Sequence, residues 1–254
     1  MTGAAPAAPD PKTRQGRAVA EMFSAIASTY DLLNHLLSLN IDRHWRAVTV
    51  RSMAPGPDDL LLDVCTGTGD LAIALSEKSN TKVVGLDFSE GMLAVAREKI
   101  GRRRSIPLVQ GDALALPFRA DTFSGATVAF GVRNFEDLDT GLREVARVLR
   151  PRGRLAVLEF SSPDRSILGS LFRFYFRRVL PLIGRMISGS SGAYSYLPET
   201  VEGFPDARAF GARLSAAGLE VVGQRGLTGG IATLHIARKL EGQKPAEPSG
   251  KMVP

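Results

Sequence analysis

The fold of this chain is decided by the stretch Leu61-Leu62-Asp63-Val64-Cys65-Thr66-Gly67-Thr68-Gly69-Asp70. Apolar residues typical of a buried strand come first, a Gly-x-Gly turn follows, and a helical pattern begins at once with Leu71. Glycines in such a turn let the backbone approach a ligand closely, and the first residues of a helix offer unpaired N–H groups. The stretch therefore predicts a strand, a loop and a helix that hold a nucleotide-type cofactor.

Strand and helix patterns alternate from this stretch toward the C-terminus. The predicted strands span 60–64, 82–87, 106–110, 124–130 and 154–160, and the predicted helices span 70–79, 89–100 and 139–149. A further helix at 206–217 precedes two strand-like runs at 219–224 and 231–237, with the glycine-rich connection 226–230 between them. Alternating units indicate a parallel sheet with helices on both faces, and the last two runs indicate an antiparallel hairpin. We predict an α/β fold with a doubly wound, mixed sheet of seven strands.

Length and composition indicate one globular domain. The chain has 254 residues, of which 44% are apolar and 23% are charged, and its net charge of +6 permits anionic partners without requiring them. The single cysteine, Cys65, excludes an internal disulfide and a cysteine-rich metal site, and the three histidines are too scattered to indicate a metal site. We find neither the apolar run of a signal peptide nor about 20 consecutive apolar residues. We therefore expect a cytoplasmic protein.

We expect a single domain over 16–240, between disordered tails at 1–15 and 241–254 that are rich in alanine, proline, glycine and charge. The pattern from 17 to about 53 is helical, with a second short helix around Trp45. A helical insertion at about 163–205 interrupts the alternation, and arginines are interleaved with its apolar residues. Such a segment fits either a membrane interface or packing against the sheet or another subunit.

Three carboxylates follow successive predicted strands and bear on the identity of the cofactor. Residues 67–72 match the G-x-G-x-x-G/A fingerprint with Asp87 in place, but that match alone fits a nicotinamide enzyme as well as an S-adenosylmethionine enzyme. Asp63 beside the loop would repel a pyrophosphate and attract a cationic ligand. Asp112 follows the third strand, where it can receive an adenine amino group. Because the predicted site is lined by acids and has no basic residue near the glycine loop, we predict a sulfonium cofactor rather than a phosphorylated one. The alternative for each acid is a structural role such as a helix cap.

Four segments carry a family resemblance. They are Met22 to Asn34, Phe130-Gly131-Val132-Arg133-Asn134, Arg147 to Ser161, and Tyr194 to Glu199 together with Leu227 to His235. Over about residues 20–240 the chain resembles the quinone-biosynthesis C-methyltransferases, the family of demethylmenaquinone methyltransferase and 2-polyprenyl-6-methoxy-1,4-benzoquinol methylase. Ala129 stands where the benzoquinol-type relatives tend to carry serine, which favours a naphthoquinol substrate.

The resemblance implies the fold of the class I S-adenosylmethionine-dependent methyltransferases, with N-terminal helices and an inserted helical cover. It implies C-methylation of a prenylated quinol, namely demethylmenaquinol to menaquinol in menaquinone biosynthesis, with S-adenosylhomocysteine as the other product and no metal. The alternatives are benzoquinol methylation in ubiquinone biosynthesis and methylation of carbon or oxygen in another small aromatic or lipid molecule. The predicted cofactor contacts are Asp63, Gly67, Thr68, Gly69, Asp87, Asp112 and Ala113. Of these, Thr68, Asp87 and the Asp112-Ala113 pair are the contacts that the resemblance implies.

Arg133 and Asn134 are the predicted catalytic residues, because they follow the fourth strand at the edge of the sheet where the cofactor cleft opens. Arginine is a poor base at neutral pH, so we expect Arg133 to hold the quinolate oxygen and Asn134 to orient the ring. The alternative for Arg133 is a structural ion pair with Glu136 or Asp139. The proton acceptor stays open among water, Tyr30, Asp31 and His35.

The implied substrate also bears on partners. A membrane-dwelling prenylated quinol favours peripheral contact with the inner face of a membrane, and the insertion can also line the entrance for a prenyl chain. Alternatively, the helical insertion packs against another copy of this chain in a homo-oligomer. We expect Tyr30 and Trp45 to pack the N-terminal helices over the site as a lid. We expect no nucleic-acid partner, because the basic run 102–104 ends a helix, where cations favour the dipole. A nicotinamide oxidoreductase and a non-catalytic RNA-binding module are the rival classes.

Overall fold

The computed structural model describes residues 19, 21–25, 27, 38, 40–79, 81–101, 105–161, 200–201 and 203–242. The strands are β1 (Leu60–Val64), β2 (Lys82–Asp87), β3 (Leu108–Gln110), β4 (Phe123–Ala129), β5 (Leu149–Phe160), β6 (Leu219–Leu227) and β7 (Ala232–Lys239). The helices with defined ends are α1 (Ile41–Met53), α2 (Asp70–Ser79), α3 (Glu90–Ile100), α4 (Leu138–Val148) and α5 (Ala207–Ala216). Almost all of the predicted tails and most of the predicted insertion lie outside the described residues.

The seven strands form one mixed sheet in the order β3-β2-β1-β4-β5-β7-β6. Strands β1 to β5 run parallel, and β7 runs antiparallel to both β5 and β6. The predicted doubly wound sheet with a terminal hairpin is therefore confirmed. β6 continues to Leu227, so the predicted connection 226–230 is replaced by residues 228–231. None of the helices in the described ranges is long and apolar enough to cross a bilayer.

The bounds of β1, β2 and α2 are as predicted, and the largest difference is at the start of β5. The sequence predicts this strand from 154, whereas β5 begins at Leu149, directly after α4. Leu149 pairs with Phe123, ahead of a register shift in the β4–β5 ladder. The sequence does not predict a strand at 149–153, because Pro151 and Gly153 are residue types typical of a turn.

Helices cover both faces of the sheet, as the alternating pattern predicts. Neighbouring side chains of β1 point to opposite faces, so Leu61 and Leu62 belong to different apolar clusters. The cluster around Leu62 includes Phe123 of β4 and Phe210 of α5. The cluster around Leu61 includes Trp45 of α1 and residues of α2 and α3. Burial on both faces fixes the strands, and with them the loops at the carboxyl edge of the sheet.

Trp45 is part of this core. It is 2% exposed, and its Nε1 donates a hydrogen bond to Oγ1 of Thr228 at 2.8 Å. Its ring packs against those of Phe130 and Phe160, with centroids 5.9 and 6.1 Å away. Trp45 thus packs α1 against residues at the ends of β4 and β5. Its part in a lid over the site stays a prediction, and Tyr30 lies outside the described residues.

Candidate active site

A cavity of about 360 Å³ opens at the carboxyl ends of β1 to β4. In a doubly wound sheet ligands bind at this edge, where the strand order reverses, and the reversal here lies between β1 and β4. Five predicted site residues line the cavity, namely Gly67, Asp87, Asp112, Ala113 and Asn134. The other predicted residues, Asp63, Thr68, Gly69 and Arg133, are not part of its lining.

The glycine loop presents its backbone to the cavity at Gly67. This residue has a φ of +56°, and a Cβ built on it would meet no atom within 4 Å. Gly69 has a φ of +86°, and its Cβ would lie 3.4 Å from the Cβ of Ala96 on α3. One glycine therefore leaves room for a ligand, and the other lets the loop pack closely on a helix.

Asp87 at the end of β2 joins the second strand to the glycine loop. Its Oδ2 accepts a hydrogen bond from the N–H of Gly67 at 2.8 Å, and its Oδ1 accepts one from the N–H of Ser89 at 2.9 Å. Burial raises the pKa of this carboxyl above its ordinary value, and the backbone donors oppose that rise. A carboxylate has about four acceptor sites, so Asp87 can still accept hydrogen bonds from the hydroxyls of a ligand.

Asp63 lies behind the glycine loop. Its oxygens accept hydrogen bonds from the Oγ1 atoms of Thr66 and Thr127, at 2.7 and 2.6 Å. Burial raises the pKa of Asp63 to about 6, although both hydroxyls and the charge of Arg46 lower it. Asp63 thus connects β1, β4 and the loop, and its direct contact with a cofactor stays a prediction that this placement does not favour.

Asp112 and Ala113 follow β3 on the far side of the cavity. Asp112 is exposed, and its Oδ1 accepts a hydrogen bond from the N–H of Leu114 at 2.8 Å, which fixes the turn. Ala113 is buried. This corner therefore combines a carboxylate with a small apolar side chain, which suits an amino group on a flat ring.

Two cations lie close to the glycine loop, so the premise that no basic residue is near it is wrong. Lys99 on α3 donates hydrogen bonds to Oδ1 of Asp70 and, at 3.3 Å, to Oγ1 of Thr68. Arg46 on α1 lies 3.3 Å from Oδ2 of Asp70. Arg46 stands 21 residues before Gly67 and Lys99 stands 30 residues after Gly69, and only the packing of the helices brings them to the loop. Neither cation lines the cavity.

Arg133 lies in a short 3-10 helix, Val132–Asn134, after β4. Glu136 and Asp139 are nearby acids in the sequence, but Arg133 pairs with Glu159 on β5. Nη1 of Arg133 lies 2.7 Å from Oε1 of Glu159, and the two side chains are 4% and 2% exposed. The same Nη1 donates to the carbonyl oxygen of Phe130, and the guanidinium carbon lies 5.6 Å from the ring centroid of Phe160. Nε of Arg133 has no hydrogen-bond partner among the described residues.

We use the name aromatic wall for Phe130, Gly131, Asn134 and Phe135, which line the cavity after β4. The wall touches Cys65, the residue that follows β1, because a Cβ on Gly131 would lie 2.4 Å from the Cβ of Cys65. Cys65 and Phe130 both have left-handed backbones, with φ of +54° and +57°. A glycine is therefore needed at 131 where the ends of two neighbouring strands meet.

Cys65 itself lines the cavity and is half-buried. Burial, and after it the charges of Asp87, Asp63 and Glu159, raise the pKa of this thiol well above its ordinary value. The thiol is thus kept protonated. In the described part of the chain, no group of three or more His, Cys, Asp or Glu side chains is placed to hold a metal ion.

Helical residues near the N-terminus also line the cavity, at Val19 and Phe23. The Oγ atoms of Ser24 and Ser89 are 2.7 Å apart, which joins this segment to the start of α3. Gly91 permits the contact, because a Cβ there would lie 2.8 Å from the Cα of Ser24. Sequence reasoning expected a helical cover but did not single out these residues, since their apolar spacing equally fits a core helix.

Sequence reasoning also missed Glu159 as a site residue. Its signal was an acid within the otherwise apolar run Leu155-Ala156-Val157-Leu158-Glu159-Phe160. A buried carboxylate in a central strand requires a partner, and that requirement points to a nearby cation. The sequence alone does not say which cation, because the ladder between β4 and β5 is what brings Arg133 next to it.

Comparison with protein families gives one match over most of the chain. The ubiE/COQ5 methyltransferase family matches residues 11–239. A relative from Deinococcus radiodurans named demethylmenaquinone methyltransferase is 47% identical over 231 residues, which cover 90% of this chain and 95% of the relative. One of the same name from Thermus thermophilus is 48% identical, covering 85% and 98%. A Geobacter sulfurreducens relative named ubiquinone/menaquinone biosynthesis C-methyltransferase UbiE is 42% identical, covering 89% and 90%.

Solved structures share the fold at low sequence identity. The cyclase SpnF aligns with a TM-score of 0.66 at 16% identity, covering 94% of this chain and 99% of that one. A SAM-dependent methyltransferase from Aquifex aeolicus aligns with a TM-score of 0.57 at 18% identity, covering 77% and 89%. The fold is that of the class I S-adenosylmethionine-dependent methyltransferases. A cyclase among the neighbours illustrates that this fold by itself does not fix the reaction.

Proposed function

The chain belongs to the ubiE/COQ5 methyltransferase family, and we propose that it transfers the methyl group of S-adenosylmethionine to a ring carbon of demethylmenaquinol, yielding menaquinol in menaquinone biosynthesis. The observation that carries the proposal is the similarity to relatives named demethylmenaquinone methyltransferase, at 47 and 48% identity along nearly their whole length. The enzyme class follows from the family, and the quinol is the part that requires a test.

The residues at the glycine loop fit this cofactor. S-adenosylmethionine supplies, when bound, an electrophilic methyl group on a positively charged sulfur. The open face of Gly67 admits the cofactor against the backbone, and Asp87 accepts hydrogen bonds from its ribose hydroxyls. Asp112 receives the adenine amino group, and Ala113 contacts the ring face. These carboxylates also attract a cationic ligand, and no metal is needed for the chemistry proposed.

The aromatic wall receives the quinol. Phe130 and Phe135 contact the ring, and Asn134 orients it through hydrogen bonds from its amide. Loss of a proton from the ring hydroxyl would make the neighbouring carbon nucleophilic, and the aromatic wall would hold this carbon toward the methyl group. The new carbon–carbon bond would form as the sulfur–methyl bond breaks and S-adenosylhomocysteine leaves, and the ring C–H proton would then move to the oxygen. Arg133 acts from behind this wall, because its guanidinium is paired with Glu159.

A carboxylate is available to accept the hydroxyl proton. Tyr30, Asp31 and His35 lie outside the described residues. Glu136, directly after the aromatic wall, lines the cavity and is exposed. We assign the proton to Glu136, from which it passes to solvent.

The remaining expectations are part of the same proposal. A prenylated substrate resides in a membrane, so we propose a cytoplasmic protein that makes peripheral contact with the inner face of that membrane. Assembly with further copies of this chain and the absence of a nucleic-acid partner stay predictions. The helical insertion on which the membrane contact depends lies largely outside the described residues.

Methyl transfer can be tested directly with the full-length protein. The protein is incubated with methyl-labelled S-adenosylmethionine and either a short-chain demethylmenaquinol or the matching benzoquinol, and the position of the label is read by NMR. Label on the naphthoquinol ring carbon is the expected result. Label on oxygen, or only on the benzoquinol, would overturn the substrate proposed here. The benzoquinol arm is included because the relative from Geobacter sulfurreducens is named for both quinones.

A further inference from the structure

We propose that Glu159 is a positioning residue, which fixes the aromatic wall through Arg133 and so sets where Phe130 and Asn134 meet the substrate. The consequence for catalysis rests on the proposed function. The positioning of the aromatic wall by Glu159 does not depend on which reaction the protein catalyses.

The carboxylate of Glu159 accepts hydrogen bonds from both the backbone and the side chain of Arg133. Oε1 accepts a hydrogen bond from Nη1 of the side chain at 2.7 Å, and Oε2 accepts one from the backbone N–H of Arg133 at 3.3 Å. Oε1 also accepts the N–H of Phe160 at 2.9 Å, which fixes the carboxylate to its own strand. One residue of β5 therefore holds both the backbone and the side chain of Arg133 in the 3-10 helix after β4.

Arg133 passes this constraint on to the cavity. Its Nη1 donates to the carbonyl oxygen of Phe130, the residue with the left-handed backbone at the end of β4. The N–H of Asn134 donates to the carbonyl oxygen of Gly131 at 3.0 Å, which closes the turn that carries both Phe130 and Asn134. Both Phe130 and Asn134 line the cavity, whereas neither Arg133 nor Glu159 does.

Stability alone does not account for this pair. Both side chains are almost fully buried, at 4% and 2% exposure. A buried ion pair frequently stabilises a fold no more than apolar side chains of similar volume. The hydrogen bonds that one guanidinium and two backbone N–H groups donate to this carboxylate do, however, fix a geometry that apolar side chains cannot reproduce.

Trp45 provides a probe of the wall that does not depend on activity. It is the one tryptophan of the chain, and its ring lies 5.9 Å from that of Phe130 and 6.1 Å from that of Phe160. A displaced Phe130 must change the surroundings of the indole, and therefore its emission.

The test uses Glu159→Gln, Arg133→Met and the double variant Arg133→Met/Glu159→Leu, all in the full-length chain. The double variant leaves no unpaired buried charge, so it is expected to fold even where a single variant does not. We expect it to bind S-adenosylhomocysteine within about twofold of wild type, to lose roughly 10- to 100-fold in kcat, and to show shifted Trp45 emission. We expect Arg133→Met and Glu159→Gln each to give nearly the full loss, because the two residues act as a unit.

Asp121→Asn is the matched control. Asp121 pairs at 2.7 Å with the buried Lys239, at the opposite edge of the sheet, so its loss perturbs a buried cation away from the cavity. It should leave kcat and Trp45 emission as in wild type. Unchanged kcat and emission in the double variant would overturn the inference, as would additive losses in the two single variants. If wild type methylates no quinol, the proposed function fails, and the Trp45 emission of the variants still decides whether Glu159 positions the wall.

Discussion

His235 is expected to make the free energy of unfolding depend on pH, and a single substitution at this position can measure its contribution. The side chain is buried on β7 beside Phe210, with ring centroids 4.9 Å apart, and its Nδ1 has no hydrogen-bond partner in the described part of the chain. Burial lowers the pKa of His235 from 6.5 to about 4. The unfolded chain therefore binds a proton that the folded chain rejects, and stability falls as pH drops through the window between those two values.

The size of the effect follows from the two pKa values. Between about pH 7.5 and about pH 5, the His235 contribution lowers the free energy of unfolding by about 2 kcal/mol. The change His235→Leu removes this proton uptake and the unpartnered nitrogen. Buried Asp63, whose pKa is raised to about 6, acts with the opposite sign. It is present in both proteins, so its effect cancels in the difference between them.

Urea unfolding, followed by Trp45 fluorescence and circular dichroism at the two pH values, measures this difference. Wild type should lose about 2 kcal/mol more than His235→Leu on acidification. His44→Gln, a surface replacement on α1, is the control and should follow wild type. Parallel losses in wild type and His235→Leu would refute the reasoning, since the histidine would then not be held neutral by its burial.

Three further predictions concern the cavity. Asp87→Asn should weaken S-adenosylhomocysteine binding about tenfold or more in calorimetry, because it removes a charged acceptor worth about 1.5–3 kcal/mol. The control variant Asp121→Asn should bind S-adenosylhomocysteine as wild type does. Gly131→Ala should lower the free energy of unfolding by roughly 1–3 kcal/mol in urea titrations, because its Cβ would lie 2.4 Å from that of Cys65; an unchanged midpoint would contradict the contact. Glu136→Gln should slow methyl transfer about 100-fold in single-turnover assays without changing cofactor affinity, and full activity would exclude it as the proton acceptor.

The sequence predicts those parts of the fold in which local pattern and tertiary structure agree. β1 and α2 match their predicted bounds because apolar runs flank a glycine turn that can form little else. Asp87, Asp112 and Asn134 reach the cavity as expected, since residues after parallel strands meet at one edge of a sheet. The order of strands and helices along the chain is enough to predict that these residues reach the same edge of the sheet.

What the sequence could not supply are contacts set by packing over long separations. Lys99 reaches Asp70 from α3, and Glu159 reaches Arg133 across the β4–β5 ladder, 26 residues away. Neither pairing has a periodic signal. Other acids lie nearer to Arg133 in the sequence, but the register between β4 and β5 places Glu159 next to it.

The protonated thiol in the cavity has one more consequence. An enzyme that carries an alkylating agent next to a sulfur nucleophile is at risk of modifying itself. Only the thiolate form of cysteine attacks such agents at an appreciable rate, and the surroundings of Cys65 suppress that form. Burial, with the neighbouring carboxylates adding to its effect, thereby lowers the reactivity of this thiol toward an alkylating ligand in the cavity.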